Sequence, residues 1–199
     1  VRFDLECRLP PLSRKREKRN KKIEKNFKMK LFAGLGNPDS EYQKTRHNVG
    51  QMFVDWLCEK WGIDWKERKD LSSLVVEKDG IYLAKPLVFM NQSGEAVRRL
   101  RDKLKIENEN LYIIHDELDL PLGKQLVSFA KSSPLHKGIL SIEKLLKTNQ
   151  FWRVRIGVDN RESENKIPGE KYVLQEFEKE ESDTILDTFN KLAEILCQK

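Results

Sequence analysis

The sequence predicts a single α/β domain, a twisted mixed β-sheet with helices on both faces. Three observations carry this. From Met29 onward, short apolar or alternating runs of strand length interleave with segments whose apolar residues recur every three to four positions. The run Leu111–Ile114 is apolar throughout, as in a strand buried on both faces of a parallel sheet. Asp79-Gly80 sits between two alternating runs and marks a hairpin, so the sheet is not purely parallel.

Each element has its own signal. Lys30–Leu35 is an apolar strand closed by Gly34 and Gly36. Val49, Met52, Phe53, Trp56, Leu57 and Trp61 fall on one helical stripe. The strands 74–77 and 81–85 form the hairpin, and Ser93-Gly94 opens a helix with Ala96, Val97, Leu100 and Leu104 on its apolar face. Strands follow at 111–114, 124–130 and 152–158, with a helix at 139–146 between the last two. Residues 160–170 are polar and read as a loop, and 178–197 as a closing helix striped by Ile185, Phe189, Leu192 and Ile195/Leu196.

Composition bounds the function. The 199 residues hold 38 Lys+Arg and 32 Asp+Glu, with 38% hydrophobic residues, an ordinary balance for a globular chain. No apolar run approaches the roughly 18–20 residues of a membrane span. Cys7, Cys58 and Cys197 are scattered and odd in number, which suggests neither a disulfide framework nor a zinc site and fits a reducing, cytoplasmic setting. The net charge of +6 is not evenly spread: residues 1–28 carry eleven Lys/Arg against four Asp/Glu, and the remainder carries 27 against 28. The basic excess therefore belongs to the extension and says nothing about what the body binds. With Pro10-Pro11, a long basic run and no stripe to bury, residues 1–28 are expected to be disordered, with Met29 a natural starting point for the folded domain at 29–199.

Five clusters at strand ends carry chemistry. Gly34-Leu35-Gly36-Asn37-Pro38 fails as a dinucleotide fingerprint, because Asp39 stands where the third glycine is needed and an acid there would repel a pyrophosphate. A tight turn is the plainer reading, and a nucleotide-dependent oxidoreductase has nothing else to support it. In Thr45-Arg46-His47-Asn48, a histidine at a helix start can be a base or merely a cap. In Phe89-Met90-Asn91-Gln92-Ser93-Gly94, the asparagine can aim an amide at a carbonyl or close a turn. His115-Asp116-Glu117-Leu118-Asp119 puts three carboxylates at the end of the buried strand, where open α/β sheets place ligands. Metal binding and orientation of a histidine are both open. His136-Lys137-Gly138 precedes a helix and is weak alone.

Taken in this order, the clusters resemble the bacterial-type peptidyl-tRNA hydrolase family over about residues 30–178, through GLGNP…Y…TRHN, FMNQSG and HDELDLP. The resemblance implies a monomeric α/β esterase that uses no metal and no cofactor. Such an enzyme cleaves the ester joining a peptide to the 3′ ribose of tRNA and so recycles tRNA during translation. It implies that His47 is the base that deprotonates water and that Asp116 orients and polarises it. It makes Asn37 and Asn91 amides at the scissile ester, Tyr42 a packing residue at the tRNA end, and Arg155 a phosphate contact. Lys124 or Lys131 is expected to share that contact, since Ser128 stands where relatives often carry lysine.

One departure stands out. Lys137 replaces the family's asparagine, and the loop before it has lost its glycines and gained Pro134, so it should be stiffer. The Lys137 ammonium can swing out to a phosphate, the favoured pose, or stay in the site beside the base. The alternative to an active hydrolase is a non-catalytic RNA-binding relative. The change at Lys137 leans toward that alternative, whereas retention of both His47 and Asp116 argues against it, because a binding module needs no base with its orienter.

Overall fold

The computed structural model describes residues 29–131, 136–161 and 167–197. The expected disorder of 1–28 and the expected stiffness around Pro134 lie outside the described residues.

The described residues contain seven strands: β1 (Lys30–Gly34), β2 (Lys66–Arg68), β3 (Ser73–Lys78), β4 (Ile81–Pro86), β5 (Leu111–Pro121), β6 (Gln125–Phe129) and β7 (Trp152–Asp159). They form one sheet in the order β2-β3-β4-β1-β5-β7-β6. The inner strands β4, β1, β5 and β7 run parallel, while β2, β3 and β6 pair antiparallel at the edges. Five helices accompany them: α1 (Val49–Trp61), α2 (Ser93–Leu104), α3 (Lys137–Leu146), α4 (Gly169–Tyr172) and α5 (Lys179–Leu196).

The period-2 alternation of β1 divides the core. Leu31 and Ala33 join Val97 and Leu100 of α2 and Ile139 and Ile142 of α3 on one face. Phe32 joins Phe53 of α1 and Ile185, Phe189 and Leu192 of α5 on the other. Helices therefore cover both faces, as the sequence predicts. Phe32, Phe53 and Phe189 are essentially fully buried, each contributing roughly 1.5–3 kcal/mol of apolar burial.

Three details differ from the sequence reading. β2 is three polar residues recruited by pairing with β3, and it carries no apolar signal. β5 continues through the acidic stretch to Pro121, its pairing with β7 shifting register between Glu117 and Pro121. Gly169–Tyr172, which begins inside the stretch 160–170 read as loop, forms the short helix α4, too brief to show a stripe.

Gly50 sets how closely α1 approaches the sheet. A Cβ there would stand 2.2 Å from the Ile114 carbonyl oxygen and 2.8 Å from the Leu35 nitrogen, both backbone atoms that cannot swing aside. Helix propensity favours alanine over glycine by about 1 kcal/mol, but the collision outweighs it. Gly50→Ala should destabilise the protein by about 3 kcal/mol. A urea melt would show this as a lower midpoint at unchanged slope.

Candidate functional site

The carboxyl ends of β1, β4 and β5 converge where the sheet order reverses, the place an open α/β sheet offers for a ligand. A cavity of about 540 Å³ opens there. Asn37, His47, Phe89, Met90, Asn91, Asp116, His136, Lys137, Val173 and Leu174 line it, together with the acids Glu117, Asp119 and Glu170. Asn37, His47, Asn91, Asp116 and Lys137, singled out from the sequence, thus share one cleft. Tyr42, Lys124, Lys131 and Arg155 do not line it.

All three histidines of the chain gather around Asp116, midway along β5. His47 Nδ1 and His136 Nε2 each lie 2.9 Å from the same oxygen, Asp116 Oδ1. Asp116 is almost fully buried. Burial alone would raise its carboxyl pKa, but the two histidines outweigh burial and hold it well below the usual carboxylate range. An ionised Asp116 can only accept, so both ring nitrogens facing it carry protons. For His136 the other nitrogen agrees: Nδ1 accepts the Ile139 backbone N–H at 3.3 Å and caps α3. For His47 it follows that Nε2 is the nitrogen left with a lone pair.

The His47 imidazole is pulled in two directions. Burial disfavours its charged form most, and the charge of Lys137 adds to that. The Asp116 charge and hydrogen bond overcome both, so the pKa lies above the ordinary histidine value. His115 behaves differently. It is fully buried, and burial first, then the neighbouring His136, push its pKa down to about 3. Its Nδ1 bonds the Asp116 carbonyl at 2.7 Å, and its ring packs edge-on against His136 with centroids 4.6 Å apart. It is a neutral support packed behind Asp116 and His136.

The amides are fixed by their neighbours. Asn37 Oδ1 accepts the Met90 backbone N–H at 2.9 Å, which leaves its Nδ2 as the free end and a donor. Buried Asn48 holds Asn37 in place, accepting the Asn37 N–H and donating to its carbonyl, both at 2.9 Å. Asn91 is exposed in the turn Met90–Gln92 before α2. Gly138 lets the start of α3 close on this wall, since a Cβ there would meet Met90 Sδ at 2.6 Å.

Donor atoms of His47, Asp116 and His136 lie within 4.8 Å of one another and could in principle hold a divalent ion. Their 2.9 Å spacings are already explained by the two N–H donors on Asp116 Oδ1, and a metal would have to displace both protons.

Outside the cleft, Lys124 and Lys131 are exposed at the two ends of edge strand β6. The Arg155 side chain is mostly buried, with Nη1 3.6 Å from Glu117 Oε2 and Nη2 3.4 Å from Ser128 Oγ. Tyr42 is half-buried, and a hydrogen bond with Glu41 raises its phenol pKa above the ordinary value.

Sequence reasoning gave no role to His136 or Asn48, although both sit inside motifs it quoted. Each reads locally as a cap or turn residue. Their contacts with Asp116 and Asn37 come from tertiary approach, which local spacing does not encode.

The cleft lining holds no serine, threonine or cysteine among the described residues. A buried histidine–aspartate pair beside amide donors, with no such side-chain nucleophile among the described residues, is equipment suited to a hydrolase that activates water on an α/β fold. Comparison with known proteins gives the family: the peptidyl-tRNA hydrolase model matches residues 31–199, and the chain belongs to that family. The peptidyl-tRNA hydrolase of Listeria welshimeri is 41% identical over 173 residues, covering 84% of this chain and 91% of that protein. That of Bacillus cereus is 38% identical over 169 residues, covering 83% and 90%. The crystal structure of the Acinetobacter baumannii peptidyl-tRNA hydrolase matches the fold with a TM-score of 0.76 at 29% identity, over 85% of this chain and 87% of that one. The activity is accordingly peptidyl-tRNA hydrolysis, and the chain is a carboxylic ester hydrolase of translation.

Proposed function

We propose that His47 Nε2 takes a proton from water as that water attacks the ester carbonyl joining peptide to the tRNA 3′ ribose. Asp116 holds the resulting imidazolium. Charge builds on the carbonyl oxygen, where the Asn37 and Asn91 amides can donate to it. One well-placed donor of this kind is worth roughly 3–4 kcal/mol in other esterases. Collapse breaks the bond to the ribose oxygen, and His47 returns the proton to that leaving group. Water and ester become a free peptide acid and a tRNA hydroxyl, with no co-reactant. The observation that carries this reading is the 2.9 Å contact of His47 Nδ1 with Asp116, which leaves Nε2 as the basic nitrogen in a cleft whose described lining holds no serine, threonine or cysteine. The test is single-turnover cleavage of a peptidyl-tRNA by this chain and by His47→Ala. Equal rates would end the base assignment.

Around that centre, we infer that the exposed Lys124 and Lys131 meet tRNA phosphates, and that Arg155 joins them by giving up part of its hold on Glu117. Tyr42 would pack at the tRNA end. Residues 1–28 lie outside the match to the family model and are read as dispensable for turnover. A monomer in the cytoplasm accords with two features. Exposed large apolar side chains are spread over β6, α3, α5 and the loops, and Cys58 and Cys197 are free. No helix among the described residues is long and apolar enough to cross a membrane.

Lys137 is exposed at the rim of the cleft, yet its charge reaches His47. A strongly hydrated ammonium in that position favours a tRNA phosphate over the tight interior. Lys137→Asn should therefore raise KM and flatten its salt dependence, with kcat equal or higher at alkaline pH. Losing the cation also lets the His47 pKa rise, so the acid limb of the rate profile should move to higher pH. Collapse of kcat at unchanged KM would instead place the ammonium on the oxyanion.

A further inference from the structure

The residue before the base is a buried arginine, and the hydrolase chemistry above gives it no task. Arg46 is 3% exposed and its partner Glu181, in the first turn of α5, 4%. Arg46 Nη1 stands 2.8 Å from Glu181 Oε2, yet neither Nη1 nor Nε is aimed at a hydrogen-bond acceptor. The guanidinium lies against two aromatic rings instead, 4.4 Å from the Tyr172 centroid and 4.9 Å from that of Phe177. Charge and ring faces hold it, a mode that suits a planar guanidinium better than an ammonium.

The backbone beside it is zipped to the same segment. Thr45 forms an antiparallel bridge with Glu176, the Arg46 N–H donates to the Gln175 carbonyl at 3.0 Å, and the His47 N–H donates to the Val173 carbonyl at 2.8 Å. Val173 and Leu174 of that segment form a wall of the cleft. Glu181 is anchored in turn, accepting the Asn160 side-chain amide at 3.2 Å and the Glu178 backbone N–H at 2.8 Å. The Asn160 N–H reaches the Tyr172 hydroxyl at 3.1 Å. One guanidinium thus ties together the base-bearing loop, the cleft wall and the start of α5.

We propose that Arg46, clamped by Glu181, Tyr172 and Phe177, is a positioning residue for the hydrolysis: it fixes the wall at Val173–Leu174 against His47 and so sets the base's distance from the bound ester. This rests on the reading of His47 as the base. A buried ion pair is weak evidence for stability, since replacing both partners together is often neutral, whereas removing one strands a charge. A purely structural pair would therefore be dispensable as a pair, and a positioning pair would not.

The test is steady-state cleavage of peptidyl-tRNA by the full chain carrying Arg46→Met with Glu181→Gln, which keeps an acceptor for Asn160. The melting temperature should stay close to that of the parent. kcat should fall by about ten- to a hundredfold, as expected for a base displaced by a fraction of an ångström. KM should stay within about threefold, because the lost interaction matters only in the transition state. The acid inflection of the rate should not move, because the His47–Asp116 contact is untouched. Arg46→Lys alone, which keeps the charge but loses the flat contact with the rings, should give an intermediate kcat in a folded protein. Parental kcat in either folded variant, or a raised KM at parental kcat, overturns the proposal. Should the double variant not fold, Arg46→Lys decides alone. His47→Ala in the same assay keeps the two claims apart: turnover surviving that change overturns the base assignment, whatever the Arg46 variants do.

Discussion

Replacing His47 with alanine should lower single-turnover cleavage of peptidyl-tRNA by about 10²–10⁴-fold, the usual contribution of a positioned general base. Among the described residues the cleft offers no second imidazole to take its place. Its lining contains no other residue with a free ring nitrogen: His136 spends Nε2 on Asp116 and Nδ1 on the Ile139 N–H, and His115 is buried away from the lining. The fold should tolerate the change with only a small drop in melting temperature. His47 stands at the entrance to α1 rather than in either apolar core, and Asp116 keeps the His136 N–H as a partner for its buried charge. The residual rate should come from the amide donors and from binding, as it does when a base is removed from other hydrolases. Raising the pH should lift that residual rate through free hydroxide without restoring an inflection near neutrality. A wild-type rate, or a preserved inflection, would show that another group activates the water.

The folded core is legible in the sequence because burial on two faces imposes two periods. Strands alternate between Leu31/Ala33 and Phe32, and the stripes of α1 and α5 repeat at helical spacing. What escaped reading had no apolar content to repeat. β2 is Lys-Glu-Arg and exists through its pairing with β3, and α4 is only four residues long. The site divides along the same line. His47 and Asp116, the proposed base and orienter, were legible because they stand in a recognisable order of motifs. His136 was not, because before a helix it looks like a cap, and it is one. Its second contact, with Asp116, depends on how α3 docks beside β5. Arg46 and Glu181 each look like surface charges in a chain rich in them, and only the packing of α5 against the His47 loop buries the two together. Interactions that local pattern writes once can be read from sequence. Those that require two distant segments to meet cannot.

Changing Asp116 to asparagine tests the electrostatics of the site more sharply than removing the base, because it changes both the height and the position of the rate profile. If His47 is the base, as proposed, it must be neutral to act, and the rate should rise with pH through its pKa. That pKa lies above 6.5 because the Asp116 charge overcomes burial and the Lys137 cation. In Asp116→Asn the charge is gone, while burial and Lys137 remain and both favour the neutral ring. The midpoint of the acid limb should therefore fall below 6.5, and a larger fraction of the base should be active at mildly acidic pH. The plateau should nevertheless drop, by about 10⁴-fold if the site behaves like the serine protease triad in which the same substitution was made. The reason is charge. A neutral amide cannot stabilise the imidazolium that forms in the transition state, although its oxygen, standing where Oδ1 stood, can still accept from both rings. More neutral base with far less turnover is the signature expected if Asp116 acts by orienting and charge-stabilising His47. A lowered plateau with the midpoint unmoved would mean that another group carries the titration. A midpoint shifted upward would mean that Asp116 is not the charge that governs His47.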